Sequence, residues 1–255
     1  MLKAAAVQRA ERFSPNSVEA DRLILEAVAG KLGLHYITVG EEGLRPGMAD
    51  VYVSMARTPE ALALLEEEER RGAVVVNSPG SVRACDRAAI TATMGRLGTP
   101  IPPPDGPNGV WIKRAHGYTE RPEDTAYCHT EADAYAARLA FAARGAGETM
   151  QCAHIVGDLV KFYGSDGFFR CYHAADKLGM ERANGPAQGH SFDAAAIARA
   201  CTRVAGEIGI SAWGGDAIIS PGGAFHIIDF NDWPSFSRCR VEAAEAIANS
   251  IRKRL

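Results

Sequence analysis

The sequence predicts an α/β protein built from two units, a small parallel α/β unit over residues 1–104 and a mixed unit over residues 105–255. Apolar strand-like runs alternate with helix-like runs as far as residue 77, which is typical of a parallel sheet covered by helices. The segment 99–104, TPIPPP, follows and is too rich in proline to continue a helix. We therefore place the boundary between the units at this segment.

The first unit contains strands and helices in alternation. The helix 58–72 has Thr58 as a predicted N-cap and Pro59 at its first position, both favoured there. The apolar strand 73–77 has the composition of a strand covered on both faces. The other predicted elements are a helix at 17–33, strands at 34–40 and 50–55, and a long helix at 78–98.

The second unit mixes further strands and helices and ends in a hairpin. Two strands around the turn PGG (221–223) form this hairpin, at 216–220 and 224–230. The segment 175–192 is polar and contains glycines, which predicts a loop. The other predicted strands lie at 110–115, 148–156, 158–164 and 167–174, and the predicted helices lie at 131–145, 193–209 and 242–255.

Composition excludes several classes of protein. The 255 residues carry a formal net charge of -3 and no basic stripe, so we expect no nucleic-acid partner. The six cysteines form no CxxC pair and no zinc-ligand spacing, which predicts free thiols. No apolar run approaches the roughly 20 residues that span a bilayer, and the N-terminal residues have no apolar core typical of a signal peptide. We expect a cytoplasmic protein that acts on a small molecule.

The C-terminal hairpin carries the most informative side chains. Asp229 and Asn231 lie two residues apart on one strand and so share a face, and Asp216 opens the strand beside them. Three oxygen-bearing side chains on one face suit Mg²⁺, which also takes phosphate oxygens as ligands. The alternative is a set of ordinary surface carboxylates, but Asp is depleted in strands.

Two lysines lie within apolar strands, Lys113 in VWIKRA and Lys161 in DLVKFYG. A single lysine there is explained by an aliphatic stem that packs while its ammonium reaches water. Two such lysines, in a chain that also has a carboxylate cluster, indicate a pair of cations that binds a polyphosphate.

The order of these segments resembles the ATP-grasp superfamily, from about Ala73 to Ile247. GVWIKRAHG resembles the first lysine-bearing strand of that fold, and QCAHIVGDLVKFYG resembles the adenine hinge and the second basic strand. GGDAIISPGGAFHIIDFNDWPSF is similar to the terminal metal motif, with thirteen positions between Asp216 and Asp229. The resemblance implies a nucleotide-binding ATP-grasp region at 105–255, preceded by a small α/β domain at 1–104.

The resemblance also implies a role for each matching residue. Lys161 and Arg170 are expected to be catalytic, and Mg²⁺ is expected on Asp216, Asp229 and Asn231. The expected contacts to ATP are made by Arg87, Lys113, Gln151, Cys152, Ala153, His154, Asp158 and Lys161. In this assignment the hinge holds adenine mainly through its backbone, and Asp158 lies near the ribose hydroxyls.

Two departures from the family pattern affect the metal site and the phosphate cover. Asp229 stands where the family usually has Glu, one carbon longer. The glycine-rich phosphate loop after the first lysine is reduced to His116 and Gly117 in RAHGYTER. We therefore expect either a loose phosphate cover or one supplied by another loop, such as 175–192.

Three functions are compatible with such a nucleotide site. The resemblance to RimK-like carboxylate–amine ligases implies ATP-dependent activation of a carboxylate, followed by attack of an amine. The resemblance to inositol polyphosphate kinases implies phosphate transfer to a hydroxyl, which uses the same nucleotide site. A nucleotide-binding module without catalysis is the third. The ligase is preferred because such enzymes are the commoner ones in the superfamily, and Arg57, at a strand's C-terminal end, is a candidate for binding the acceptor.

Overall fold

Three β-sheets organise the chain in a computed structural model, which describes residues 2–117, 121–174 and 186–255. One four-stranded sheet is parallel, and the other two sheets, of four and three strands, are antiparallel. Helices pack on all three. The predicted α/β class is confirmed, and the two antiparallel sheets account for the mixed character of the second unit.

The parallel sheet is formed by the first four strands, in the spatial order β2-β1-β3-β4. Helix α1 connects β1 to β2, helix α2 connects β3 to β4, and both pack on the sheet. The bounds are β1 (Lys3–Gln8), α1 (Val18–Leu32), β2 (His35–Gly40), β3 (Val51–Ser54), α2 (Pro59–Arg70) and β4 (Val74–Val76), with 3-10 turns at Glu11–Phe13 and Glu41–Gly43.

Strand β1 was not predicted from the sequence, although it lies inside the sheet. Its sequence, KAAAVQ, is dominated by alanine, which is depleted in strands. In the structure Ala4, Ala5, Ala6 and Val7 are almost fully buried between layers. Tertiary burial thus overrides a weak local preference, and the last residue of β1 brings Arg9 to the edge of the sheet.

The second sheet is antiparallel, in the order β11-β10-β8-β9. Helices α4 and α6 cover one of its faces, where Val160, Phe162, Ile227 and Phe230 form a core with Ile90 and Ile197. The bounds are α3 (Pro79–Ala84), α4 (Arg87–Arg96), β8 (Asp158–Ser165), β9 (Phe168–His173), α6 (Ala194–Ile208), β10 (Ala212–Ile219) and β11 (Phe225–Asp232). The predicted hairpin is β10–β11, but β10 begins earlier than expected because it includes Gly214 and Gly215.

The third sheet has the order β6-β5-β7 and carries one helix on its outer face. Its bounds are β5 (Val110–Arg114), β6 (Thr125–Cys128), α5 (Glu131–Ala143) and β7 (Thr149–Ala153), with a 3-10 turn at Pro122–Asp124. Ile112 and Phe141 form the core between sheet and helix. Because side chains alternate along a strand, Lys113 points away from this core.

Two predicted elements have different bounds in the structure. The helix expected at 78–98 is two helices, since Ser78 caps α3 and Asp86 caps α4. The strand expected at 148–156 ends at Ala153, and β8 then begins in another sheet. Gly157 permits this crossing, because its φ is +156° and a Cβ there would lie 2.1 Å from the carbonyl oxygen of Ile219.

The C-terminal helix α7 (Arg240–Arg252) packs on α1, next to the parallel sheet. Ile247 and Ile251 share a fully buried core with Leu25 and Val28, and Trp233 joins the same core. The chain therefore returns to the first sheet after it completes the second.

Asn77 joins the parallel sheet to strand β10. Its side chain is 1% exposed, donates to the carbonyl of Ala212 at 2.8 Å, and accepts from the amides of Ser211 at 3.0 Å and Ala212 at 2.8 Å. Buried polar groups need such partners, so this one side chain satisfies three backbone groups at the junction.

Substitution of Asn77 by Ala should destabilise the protein. The change removes the acceptor of the Ser211 and Ala212 amides, at about 1–3 kcal/mol for each buried group that stays unsatisfied, whereas the Ala212 carbonyl still accepts from the amide of Trp233 at 3.1 Å. We expect the free energy of unfolding in urea to fall by at least about 2 kcal/mol. Asn108→Ala, at an exposed position, is the control and should leave it unchanged; an equal loss in both variants would contradict the role of Asn77.

Candidate active site

A row of charged side chains crosses the open face of the second sheet. In the strand register Lys161 of β8 lies opposite Asp216 of β10, and Asp216 lies opposite Asp229 of β11. Lys161 Nζ is 2.8 Å from Asp216 Oδ1, and Asn231 Nδ2 donates to Asp229 Oδ2 at 2.8 Å. The structure thus brings together the two carboxylates, the amide and one of the lysines that the sequence singled out.

A β-bulge at Ile228 places the carboxylates on this face. Asp216 pairs with Asp229 while the next residue, Ala217, pairs with Ile227, so Ile228 is an extra residue on β11. Without the bulge, strand alternation would put Asp229 on the same face as Ile227, which is buried against the helices. The bulge allows Ile227 and Phe230 to face the core while Asp229 and Asn231 face outward.

Lys113 reaches the same place from the third sheet. Its Nζ lies 3.2 Å from the carbonyl oxygen of Ile228, the bulged residue. Lys113 of the third sheet and Lys161 of the second thus approach the carboxylate pair from two different sheets. Two ammonium groups beside a carboxylate pair can bind a polyphosphate and its cation together.

The environment changes the proton affinities of the central ion pair. Burial alone would lower the pKa of Lys161, but the charge of Asp216 and the hydrogen bond between them raise it above its ordinary value. Burial raises the pKa of Asp216, and the like charge of Asp229 adds to the rise, against the opposing effect of Lys161. The lysine is thus charged at neutral pH, and its charge opposes part of the rise in the pKa of Asp216.

The three oxygen-bearing side chains fit a Mg²⁺ ion. Asp216 and Asp229 are cross-strand neighbours, and Asn231 adds an amide oxygen on the same face. Among the residues that the structure describes, no three His, Cys, Asp or Glu side chains form a metal site. A cation held here would therefore complete its shell with phosphate oxygens and water, as Mg²⁺ prefers.

Arg87 lies at the first position of α4 and lines a small cavity of about 180 Å³ together with Arg57, Asp229 and Asn231. Its Nη1 donates to the carbonyl of Arg114 at 2.7 Å. The structure thus brings Arg87 to the same cavity as Asp229 and Asn231.

The hinge residues Gln151 to His154 connect the third sheet to the second. The amide of Ala153 donates to Pro103 at 2.7 Å, and the amide of His154 donates to Gly109 at 2.9 Å. Cys152 pairs with Trp111 in the sheet, and the side chain of Gln151 donates to Pro104 at 3.2 Å. These residues lie where the chain passes from the third sheet to the second, and two of their amides are engaged by the preceding segment.

Asp158 has a different environment from the one expected. It is 3% exposed and accepts from the backbone amides of Gln188 at 2.7 Å and His190 at 2.6 Å. Burial alone would raise its pKa, but the two amides lower it further than burial raises it. Asp158 thus anchors the chain that follows the segment 175–185. The residues 118–120 and 175–185 lie outside the described residues, and the expected phosphate cover from 175–192 falls largely within the second of these gaps.

Arg170 is the predicted residue that the structure places apart from the others. It lies on β9, forms an exposed ion pair with Glu242 of α7 at 2.8 Å and stacks on Phe168. It is not among the residues that line the cavity at Lys161 and Asp216.

A cavity of about 800 Å³ extends from Lys161 and Asp216 toward the parallel sheet. Arg57 lines it, and its guanidinium binds the buried Asp232 at 2.6 Å. Sequence reasoning missed Arg9 and Asp21, which also line it and form an ion pair at 3.2 Å. Recognition of β1 would have revealed Arg9, since ligands of open α/β sheets bind at the carboxyl ends of strands.

The sequence matches no family model and no curated protein, but the structure resembles solved proteins over nearly the whole chain. The D-cycloserine synthetase DcsG is 16% identical, with a TM-score of 0.72 over 98% of this chain and 99% of that one. A D-alanine–D-alanine ligase from Bacillus anthracis, complexed with ATP, is 9% identical, with a TM-score of 0.70 over 99% and 98%. A RimK-domain ATP-grasp protein from Sphaerobacter thermophilus is 18% identical, with a TM-score of 0.65 over 97% and 98%.

The chain therefore has the ATP-grasp fold, and the resemblance noted in its sequence is confirmed at the level of fold. One of the three neighbours is a RimK-domain protein. Within the described ranges, no helix combines the length and apolarity required to cross a bilayer.

Asp158→Asn should show what this carboxylate does for stability. A carboxyl group with a lowered pKa in the folded state stabilises at pH values above its unfolded pKa, and the effect is lost as pH falls through the folded pKa. We expect the variant to be about 1–3 kcal/mol less stable at pH 7 and the difference to shrink below about pH 4. Urea unfolding at several pH values measures it, with the exposed Asp166→Asn as control; a difference independent of pH would contradict the assignment.

Proposed function

We propose that the protein is an ATP-dependent carboxylate–amine ligase that acts on small molecules. In the overall reaction the γ-phosphoryl group passes to a carboxylate oxygen with release of ADP. The amine nitrogen then attacks the acyl carbon, and phosphate leaves. The observation that carries the proposal is the row of Lys161, Asp216 and Asp229 on one sheet, which Lys113 of the third sheet reaches at Ile228 and whose Lys161 and Asp216 line the large cavity.

Each residue of the row has a distinct role in this proposal. Asp216, Asp229 and Asn231 would hold Mg²⁺, which when bound would neutralise phosphate charge and polarise the transferred group. Lys161 and Lys113 would bind phosphate oxygens from two different sheets, and Lys161 would exchange its contact with Asp216 for one with phosphate. Arg87, beside Asp229 and Asn231, adds a further positive charge. The sheets fix these groups in place, so the chain contributes mainly positioning and charge stabilisation.

The charge of the cavity favours a ligase over a kinase that acts on a polyphosphate. A polyphosphate acceptor needs several cations that are not already paired with a carboxylate of the protein. Arg9 and Arg57 line the cavity, but each is bound to a buried carboxylate of this chain. The cavity volume, about 800 Å³, lies within the range of small-molecule sites and leaves room beside the nucleotide.

The neighbours' names support the same choice. One is called a synthetase and another a ligase, and the latter was solved with ATP. Their low sequence identity leaves the acceptor of this chain to be found by experiment.

Product analysis tests the proposal. Purified protein is incubated with Mg²⁺-ATP and a panel of carboxylic acids and amines, and products are identified by mass spectrometry. The proposal requires ADP release that depends on an acid and an amine together, with a new amide in the product. A phosphorylated hydroxyl acceptor would establish the kinase instead, and nucleotide binding without turnover would establish a binding module.

Removal of a metal ligand should abolish turnover without unfolding the protein. In Asp229→Ala and Asn231→Ala we expect Mg²⁺-dependent ADP formation to fall at least about a hundredfold, since the cation contributes several kcal/mol to charge stabilisation. The exposed Asp166→Ala should keep full activity. Urea unfolding verifies that the fold is retained, and unchanged turnover in either ligand variant would remove the metal assignment.

Lys113→Ala should weaken nucleotide binding. A charge-assisted hydrogen bond to phosphate contributes about 1.5–3 kcal/mol, so the Kd for Mg²⁺-ATP should rise about tenfold or more. Isothermal titration calorimetry measures the change. The matched control is Lys253→Ala, at an exposed lysine directly after the last residue of helix α7. Equal affinities in wild type and Lys113→Ala would show that this lysine does not contact ATP.

A further inference from the structure

The cations that line the large cavity differ in how their charge is balanced. Three of them are each bound to a carboxylate of this chain, so their net charge is already cancelled before any ligand arrives. These pairs are Arg9–Asp21 at 3.2 Å, Arg57–Asp232 at 2.6 Å and Lys161–Asp216 at 2.8 Å.

Arg238 lines the same cavity but is held by neutral groups. Its Nη1 donates to the carbonyl of His173 at 3.1 Å, and its Cζ lies 4.4 Å from the centre of the Tyr172 ring. Among the described residues, no carboxylate lies within salt-bridge distance of Arg238. Stacking and one hydrogen bond thus orient the guanidinium, and no described residue compensates its charge.

The strand register places Arg238 relative to the reacting end of the site. Tyr172 lies opposite Lys161, and Lys161 lies opposite Asp216, so the ring under Arg238 is two strands away from Asp216. Strands are spaced by about 4.8 Å, which puts Tyr172 roughly 10 Å from the proposed metal site along the sheet. That separation suits the two ends of one small molecule, or two small molecules side by side.

Two further features favour an anion at this position. The hydroxyl-bearing residues Ser235 and Ser237 line the cavity next to Arg238. Helix α7 begins at Arg240, so its first turn directly follows, and the free amides of a first turn carry partial positive charge.

We propose that Arg238 binds a carboxylate that does not react, carried by one of the two substrates. The inference rests on the proposed function for the reacting end of the site. A single uncompensated guanidinium balances one carboxylate, whereas a phosphate dianion would leave an uncancelled charge. The substrate with this group is therefore either an amino acid that serves as the amine or a dicarboxylic acid that serves as the acid.

A binding experiment that needs no turnover tests the subsite. Saturation-transfer NMR is recorded on the full chain with two probe pairs, alanine against alaninamide and succinate against succinamide. In each pair the second probe carries amide groups in place of all carboxylates of the first. We expect the carboxylate form of at least one pair to bind at least tenfold more tightly than its amide. The pair that shows this preference identifies the amine or the acid as the source of the carboxylate.

Variants then assign the preference to Arg238. In Arg238→Gln the carboxylate preference should disappear, and in Arg238→Lys it should be partly retained because charge remains without the planar fork. Arg199→Gln, an exposed arginine of α6, should behave as wild type. The inference is overturned if the wild type shows no preference in either pair, or if Arg238→Gln retains it.

Turnover separates this inference from the proposed function. If ligation occurs, Arg238→Gln should raise KM for the carboxylate-bearing substrate at least tenfold while the ATP affinity stays unchanged. If no acid and amine ever support ADP release, yet carboxylate binding depends on Arg238, then the proposed function fails and the anion site stands.

Discussion

The register of strands β8, β10 and β11 is the constraint on which the proposed site depends. It aligns Lys161, Asp216 and Asp229 as direct neighbours across three strands. The glycines of β10 make this close pairing possible, since a Cβ at Gly215 would lie 2.1 Å from the carbonyl oxygen of Asp229. The bulge at Ile228 then turns Asp229 toward the open face of the sheet, and the carbonyl oxygen of Ile228 accepts from Lys113. Bulges of this kind re-aim side chains beside functional sites.

Ion pairs determine what the adjoining cavity can bind. Buried charges are costly unless they are paired, and Arg57 with Asp232 and Arg9 with Asp21 satisfy that requirement within the chain. Paired in this way, these residues shape the cavity without adding net charge, and the Arg57–Asp232 pair connects the parallel sheet to the end of β11. Among the described residues that line the cavity, the remaining positive charge lies at Arg238.

The likeness to solved structures extends over nearly the whole chain although identity is only 9–18%. Sequence segments alone indicated the superfamily because they combine residue types with order, namely two strand-borne lysines followed by a spaced Asp and Asp-x-Asn pair. Order and spacing are retained when most packing residues change, since cores tolerate many apolar combinations of similar volume.

The sequence by itself determined the alternation of strands and helices, the hairpin, and the residues Lys113, Lys161, Asp216, Asp229 and Asn231, because these features follow from local periodicity and from charged residues in apolar strands. It could not show β1, whose alanines become a strand only through burial between layers. Only the tertiary structure showed that Arg170 is bound to Glu242 on the surface and that Asp158 holds Gln188 and His190. The tertiary structure alone also placed Arg238 at the cavity, because strand pairing and helix packing bring together residues that are distant in the chain. The local sequence pattern contains no information about which residue a charged side chain will contact.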